Sequence, residues 1–126
     1  MEFEIAFESE KNRFVIKTCG FYAVEDNISI IKQLELHPNW RKGLDVLVDH
    51  RQASFETARV DDIRHISEAM AVFEKKYGSR RCAIVAPSAG YSLVAFYKYD
   101  VDSKVDLVTK IFPSDEYDKA LSWLDK

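Results

Sequence analysis

The chain has 126 residues, of which 47% are hydrophobic and 31% charged, and its formal net charge of -3 provides no general attraction to nucleic acid or anionic lipid. A chain of this length fits one domain and can bury roughly two thirds of the surface of its unfolded state. No run of about 18 apolar residues predicts a membrane span, and the N-terminal Met-Glu-Phe-Glu lacks the basic region of a signal peptide, so we expect a cytoplasmic protein.

The first third of the chain predicts a β-hairpin followed by a helix. Apolar and polar residues alternate from Phe3 to Phe7 and again from Phe14 to Thr18, and a polar turn separates the two runs. This pattern is typical of two antiparallel strands. Beyond Gly20, four apolar residues recur at helical spacing as far as Pro38: Val24, Ile28, Ile31 and Leu34.

Residues 44–54, Leu-Asp-Val-Leu-Val-Asp-His-Arg-Gln-Ala-Ser, predict a central strand over Leu44 to Asp49 that is followed by a polar rim. The apolar run through residue 48 is too continuous for a strand with one face in water, so we expect other elements to cover both faces. Asp49, His50 and Arg51 follow the run directly. Parallel sheets usually carry their functional sites at the carboxyl end of such strands.

The rest of the chain predicts three strand-helix units, counted from the central strand. A helix through Ile63 to Tyr77 ends at Gly78, residues 82–86 form an interior strand, and a helix over residues 89–99 follows Ser88. Residues 105–111 alternate as a last strand, and a terminal helix begins after Pro113. The order predicts an α/β fold, a mixed sheet of about five strands flanked by about four helices, with the later strands parallel.

Several segments of the chain resemble one known family. They are the hairpin, the connection through Trp40 and Gly43, the Leu-Val-Asp-His-Arg strand end, the Ala-Ile-Val-Ala strand, and the closing Ile-Phe-Pro-Ser with Ala120, Trp123 and Leu124. Together they resemble the SpoIIAA-like branch of the STAS/SEC14 group. The resemblance spans nearly the whole chain and rests mostly on core and turn positions, so it implies the fold more strongly than an activity.

The resemblance implies two alternative functions. Anti-sigma-factor antagonists of this fold are switched by phosphorylation of a hydroxyl after the central strand, whereas SEC14-type relatives hold lipids in an apolar groove. The antagonists carry an Asp-Ser-Ser/Ala-Gly segment there, and this chain reads Ala-Ser-Phe-Glu-Thr-Ala-Arg instead. Ser54 and Thr57 are the nearest candidate phosphoacceptors, and the alternative is that both only satisfy backbone groups of the loop.

A candidate ligand or anion site follows from the expected ends of the interior strands. Arg51 would lie near helix N-termini whose free N-H groups favour a phosphate or carboxylate. The alternative is an ion pair between Asp49 and Arg51 that only fixes the end of the strand. The complete predicted rim consists of Asp49, His50, Arg51, Ser54, Ser88 and Tyr91.

The remaining reactive residues do not indicate an enzyme. His37, His50 and His65 have no metal-ligand spacing, and Cys19 and Cys82 lie in apolar strand-like runs without a CxxC pattern, which predicts buried, reduced thiols. No nucleophile has a base at a recognisable spacing. We therefore predict no catalytic residue, no metal and no cofactor.

The predicted third helix is rich in aromatic residues that cannot all face one core. Phe96, Tyr97 and Tyr99 are candidates for a homodimer interface or an apolar-ligand site. Two function classes follow. The first is a non-enzymatic regulatory or protein-interaction module with a protein partner, and the second is a carrier or sensor of a small amphipathic or lipid-like ligand. No nucleic acid and no integral membrane segment is expected in either.

Overall fold

One mixed five-stranded sheet organises the protein. The structure is a computed structural model that describes residues 1–126. The strands lie in the order of the sequence: β1 (Glu2–Glu8), β2 (Arg13–Phe21), β3 (Asp45–Ser54), β4 (Arg81–Ala86) and β5 (Val108–Pro113). β1 pairs antiparallel with β2, and every later neighbour is parallel. The predicted α/β fold class, with β3 in the interior of a mixed sheet, is confirmed.

Four α-helices connect or follow the strands: α1 (Val24–Leu36), α2 (Val60–Tyr77), α3 (Tyr91–Asp102) and α4 (Tyr117–Leu124). Short 3-10 turns at Ser88–Gly90 and Ser114–Glu116 precede α3 and α4. α2 has two acidic residues in its first turn and two lysines in its last, which complements the helix dipole at both ends. None of the helices combines the length and the hydrophobicity that crossing a membrane requires.

The two faces of the sheet are covered unequally. α1, α2 and α3 pack against one face, which we call the three-helix face, and its 21 buried residues include Phe14, Val46 and Ile84. α4 packs against the opposite face, which we call the α4 face, over a smaller cluster of seven buried residues that includes Leu47 and Val85. Successive residues of a strand point to opposite faces, so β3 contributes to both cores in alternation.

β3 extends further than the apolar run predicts. It continues to Ser54 because its polar half still pairs with β2, up to the Phe21–Ser54 pair, although its pairing with β4 ends at Asp49–Val85. Asp49, His50 and Arg51 therefore lie inside a strand and not in a loop beyond it. Their side chains consequently point to alternating faces of the sheet.

The third helix and the last strand also differ from their predicted bounds. α3 begins at Tyr91 and continues to Asp102, through part of the polar loop predicted after residue 99. Residue 105 lies just beyond the helix, where its N-H donates to the Val101 carbonyl, and β5 begins only at Val108. The end of α3 was predicted too early because the prediction relied on polarity, and an exposed last helical turn is as polar as a loop.

Candidate functional site

An apolar cavity lies between the three-helix face of the sheet and the helices that cover it. Its volume is about 70 Å³, and 15 of its 17 lining residues are hydrophobic. α1, α2 and α3 all contribute to the walls, among them Ile31, Met70 and Val94. Protein interiors are normally packed with few voids larger than a water molecule, so a cavity of this size in the main core is a feature that needs an explanation.

Asn27 and His50 are the two lining residues that are not hydrophobic. The imidazole of His50 is 5% exposed, and its Nδ1 lies 2.7 Å from the Thr18 hydroxyl on the neighbouring strand. That hydroxyl also lies 3.3 Å from the Asp49 carbonyl oxygen. The Asn27 amide nitrogen donates to the Ala23 carbonyl at 3.2 Å, which uses one of the two N-H donors of this side chain.

His50 is electrically neutral at physiological pH. Burial lowers its pKa from the ordinary value of 6.5 to about 4, since desolvation penalises the imidazolium, and the charge of Asp49 opposes this shift only in part. Burial likewise raises the pKa of the Tyr22 and Tyr97 hydroxyls, which also line the cavity. The polar groups around the cavity are therefore all uncharged.

Tyr22, His50 and Phe55 form an aromatic group in the wall of the cavity. The rings of Tyr22 and Phe55 stack with their centroids 4.9 Å apart, and His50 meets Phe55 edge to face at 5.5 Å. Phe55 packs directly on Gly90, where a Cβ atom would lie 2.3 Å from the ring. The position before α3 is therefore restricted to glycine, and the chain crosses closely over the ring.

Asp49 and Arg51 lie on the other side of the sheet from His50. The guanidinium donates to both carboxylate oxygens of Asp49, at 3.0 and 2.9 Å, and the Arg51 backbone N-H donates to the same carboxylate at 3.0 Å. The Arg51 guanidinium also lies 3.9 Å from the centroid of the Tyr117 ring of α4. This bidentate, stacked arrangement uses the groups that an anion would need.

The pKa values of this pair reflect their mutual contact. Burial raises the pKa of the Asp49 carboxyl, but the hydrogen bonds and the charge of Arg51 outweigh it, so the pKa of Asp49 is lowered overall. The Asp49 carboxylate in turn raises the pKa of Arg51. Both groups are thus held in their charged forms, in contrast to His50 one residue away.

The other predicted rim residues lie near the ends of β3 and β4. The Ser54 hydroxyl accepts a hydrogen bond from the Glu56 N-H at 3.4 Å, and Thr57 is exposed in the following loop. Ser88 begins the 3-10 turn before α3 and is exposed, as is Tyr91. The predicted rim is therefore divided between a pair on the α4 face, a histidine inside the cavity, and hydroxyls at the carboxyl edge of the sheet.

The aromatic residues of α3 have three different environments. Tyr97 is 8% exposed and lines the cavity, whereas Tyr99 is 77% exposed. Phe96 is half-buried, and the Arg64 guanidinium lies 5.6 Å from its centroid. Of the predicted interface residues, Tyr97 belongs to the interior and Tyr99 is fully available to a partner.

The two cysteines also differ. Cys82 is buried at the cavity wall, where burial strongly raises the pKa of its thiol. Cys19 is exposed, which corrects the prediction that both thiols are buried. No helix covers the α4 face near β1 and β2. Cys19 is therefore exposed, although it belongs to a strand with an apolar sequence pattern. The structure contains no group of three or more His, Cys, Asp or Glu side chains arranged to hold a metal.

Sequence reasoning missed the cavity and most of its polar surroundings. No sequence pattern connects Thr18, Tyr22 and Phe55 with His50, and only their tertiary contacts bring them together. The one available signal was a histidine in the central strand, with no partner identifiable in the sequence. No family model matches the chain, and no curated protein matches it significantly.

Proposed function

We propose that this protein is a non-enzymatic carrier or sensor that binds a small, mainly apolar ligand in the cavity beside His50. The observation that carries the proposal is the cavity itself, about 70 Å³ of apolar space with one buried imidazole at its wall. Small-molecule sites are typically concave and apolar, with a few polar groups that orient the ligand.

The size of the cavity restricts the ligand. Engineered cavities of about 150 Å³ accept benzene, so a cavity of about 70 Å³ takes a molecule of only a few carbon atoms unless side chains move. Met70 lines the cavity, and an unbranched thioether adapts to a larger guest at low cost. A lipid-like ligand in a SEC14-like groove requires a larger opening, which separation of the helices would provide.

The function predicted first from the sequence, a regulatory or protein-interaction module, is the second candidate. It is supported by exposed apolar side chains, namely Leu36, Val72, Tyr99 and Val108. These lie on four different elements, so they offer a weaker basis for one specific partner than the cavity offers for one ligand. A homodimer through Tyr99, a cytoplasmic location and membership of the SpoIIAA-like family stay predictions.

Mass spectrometry of the protein as purified tests the cavity proposal. Native spectra report the number of subunits, and a solvent extract of the same sample reports any small molecule that was bound. We expect a bound apolar compound with the wild type and none with Val94→Phe, which places a ring in the cavity. Val108→Phe adds the same ring at a position that is 55% exposed and should leave the compound bound. Equal recovery from all three proteins would contradict the proposal.

A further inference from the structure

The hydrogen bonds around His50 determine which kind of polar group the cavity can satisfy. Thr18 has one hydroxyl proton and two neighbours, the Asp49 carbonyl at 3.3 Å and His50 Nδ1 at 2.7 Å. A carbonyl can only accept, so both contacts are hydrogen bonds only when Thr18 donates to the carbonyl and His50 Nδ1-H donates to Thr18. In this tautomer His50 Nε2 is an acceptor, and it has no hydrogen-bond partner in the protein.

Asn27 is the second polar residue of the wall, and its side chain offers both a donor and an acceptor. Its amide nitrogen gives one of its two hydrogens to the Ala23 carbonyl, so one N-H group and Oδ1 remain without a hydrogen bond in the protein. Asn27 is 9% exposed and lines the cavity together with His50. The tyrosine hydroxyls at the wall can donate or accept and therefore do not select between ligands. His50 therefore differs from the other polar side chains of the wall, because its free ring atom, Nε2, can only accept in this tautomer.

Charged ligands are disfavoured by the same walls. None of the 17 lining residues is Lys, Arg, Asp or Glu, so an ionic head group would find no partner. The imidazole does not supply a charge, since its low pKa keeps it neutral. An isolated charge in an apolar interior is costly, whereas a neutral hydroxyl needs only one hydrogen-bond partner.

We infer that the cavity binds a small uncharged molecule, apolar except for one O-H or N-H group that donates a hydrogen bond to His50 Nε2. This inference rests on the proposed function and specifies its ligand class. Short alcohols and compounds of similar polarity belong to the class, whereas carboxylates and amines that are ionised at neutral pH do not. Fatty acids and phospholipid head groups are excluded for the same reason.

A series of four-carbon probes at pH 7 tests the inference. Butan-1-ol is a neutral donor, butan-2-one accepts only, and butyrate and butylammonium carry opposite charges on similar chains. Xenon serves as an apolar probe that needs no hydrogen bond. The measurement is NMR titration of the methyl groups of Ile31, Ile84 and Met70, which line the cavity. We expect saturable shifts with xenon and butan-1-ol, weaker binding of butan-2-one, and no saturable shifts with either ion.

Two variants assign the hydrogen bond. His50→Leu should weaken binding of butan-1-ol by about three- to tenfold, which is the value of one neutral hydrogen bond, and should change the affinity for xenon by less than that. Tyr99→Phe, at a position that is 77% exposed and outside the cavity, is the control and should bind butan-1-ol as the wild type does. An unchanged affinity of His50→Leu for butan-1-ol would overturn the role of His50.

The other outcomes separate the inference from the proposed function. If xenon binds but either ion binds as well as butan-1-ol, the neutral ligand class is wrong and the cavity function stands. If butan-2-one equals or exceeds butan-1-ol, the donor requirement is wrong. If neither xenon nor any four-carbon probe shifts the cavity methyl groups, the proposed function fails and the inference fails with it.

Discussion

The two faces of the sheet handle buried polar groups in opposite ways. On the three-helix face, His50 lies among apolar side chains and is neutral, because burial disfavours the charged imidazolium. On the α4 face, the carboxylates of Asp45 and Asp49 are buried and charged, and each accepts two hydrogen bonds from one arginine side chain. The two environments occur at consecutive residues of β3, Asp49 and His50.

The difference follows from the helices that cover each face. Three helices exclude water from the His50 side over a large apolar core. α4 has only eight residues and covers a small cluster, so arginines at its margin reach both the sheet and the solvent. Arg80 and Arg81 donate to the carbonyls of Leu124 and Trp123 at the end of α4, which satisfies groups that lack a partner within the helix. Hydrogen bonds from arginine side chains therefore add to the small apolar cluster that holds α4, whereas the other three helices pack on a large apolar core.

Replacing Val46 with Asp should have the largest effect and prevent folding, because it places a carboxylate on the three-helix face. Val46 is 1% exposed in the core of the three-helix face, where a carboxylate would have no guanidinium partner. The cost exceeds the typical stability of a domain, about 5 to 15 kcal/mol, when lost packing is added, so we expect no folded protein. Circular dichroism melting provides the measurement. Val72→Asp, at a position 66% exposed on α2, is the control and should change stability by less than about 0.5 kcal/mol. A near-native melting temperature for Val46→Asp would refute the assigned interior position.

Lowering the pH should destabilise the three-helix face through His50. The pKa of His50 is about 4 in the folded protein, below its ordinary value of 6.5, so the unfolded chain binds the proton first as the pH falls. Stability is therefore lost between about pH 6.5 and pH 4, by about 3 kcal/mol if the full shift applies. Urea unfolding of the wild type and of His50→Leu at pH 7 and pH 4.5 provides the comparison. We expect a smaller pH dependence in the variant, and equal dependence in both proteins would count against a buried neutral imidazole.

Replacing Gly90 with Ala should disturb the aromatic group in the wall of the cavity. The added methyl group would overlap the Phe55 ring, which is itself fixed against Tyr22. We expect a loss of about 1 to 3 kcal/mol, the usual cost of overpacking. Phe55→Ala removes the ring that the methyl group would strike, so the Gly90 substitution should cost much less in that background. Additive effects in the double variant would contradict the contact.

The smallest expected effect belongs to the α4 face. Arg51→Ala leaves the Asp49 carboxylate with one backbone hydrogen bond, and we expect a loss of about 1 to 2 kcal/mol, reduced because the Arg51 side chain is 35% exposed. Arg64→Ala breaks the exposed pair with Asp61 and should cost less than about 0.5 kcal/mol.

Thermal-shift measurements with phosphate, sulfate and carboxylates distinguish this structural role of Arg51 from anion binding. A purely structural Arg51 predicts the same response to each anion in the wild type and in Arg51→Ala. Stabilisation by an anion in the wild type alone would instead support the anion site predicted from the sequence.

Local patterns of apolar and polar residues were enough to predict the secondary structure elements and the fold class. Alternation in the first two strands, helical spacing from Ile63 to Tyr77, and the continuous apolar run before Asp49 are local consequences of which side chains must be buried. They predicted the mixed sheet, the four helices and the interior position of β3 correctly. The boundary between α3 and β5 was missed, because a polar helix end and a polar loop have the same local pattern.

The environments of the polar residues of β3 depend on contacts between distant parts of the chain. Asp49, His50 and Arg51 are consecutive and were predicted to share one rim, but the strand continues past them, so the pleat sends His50 to the opposite face. The partner of His50 is Thr18, 32 residues earlier in the chain, and the ring beneath Arg51 belongs to Tyr117 at the start of α4. The cavity likewise depends on how three helices pack together. Such contacts depend on how distant elements meet, which the local periodicity of a single sequence does not encode.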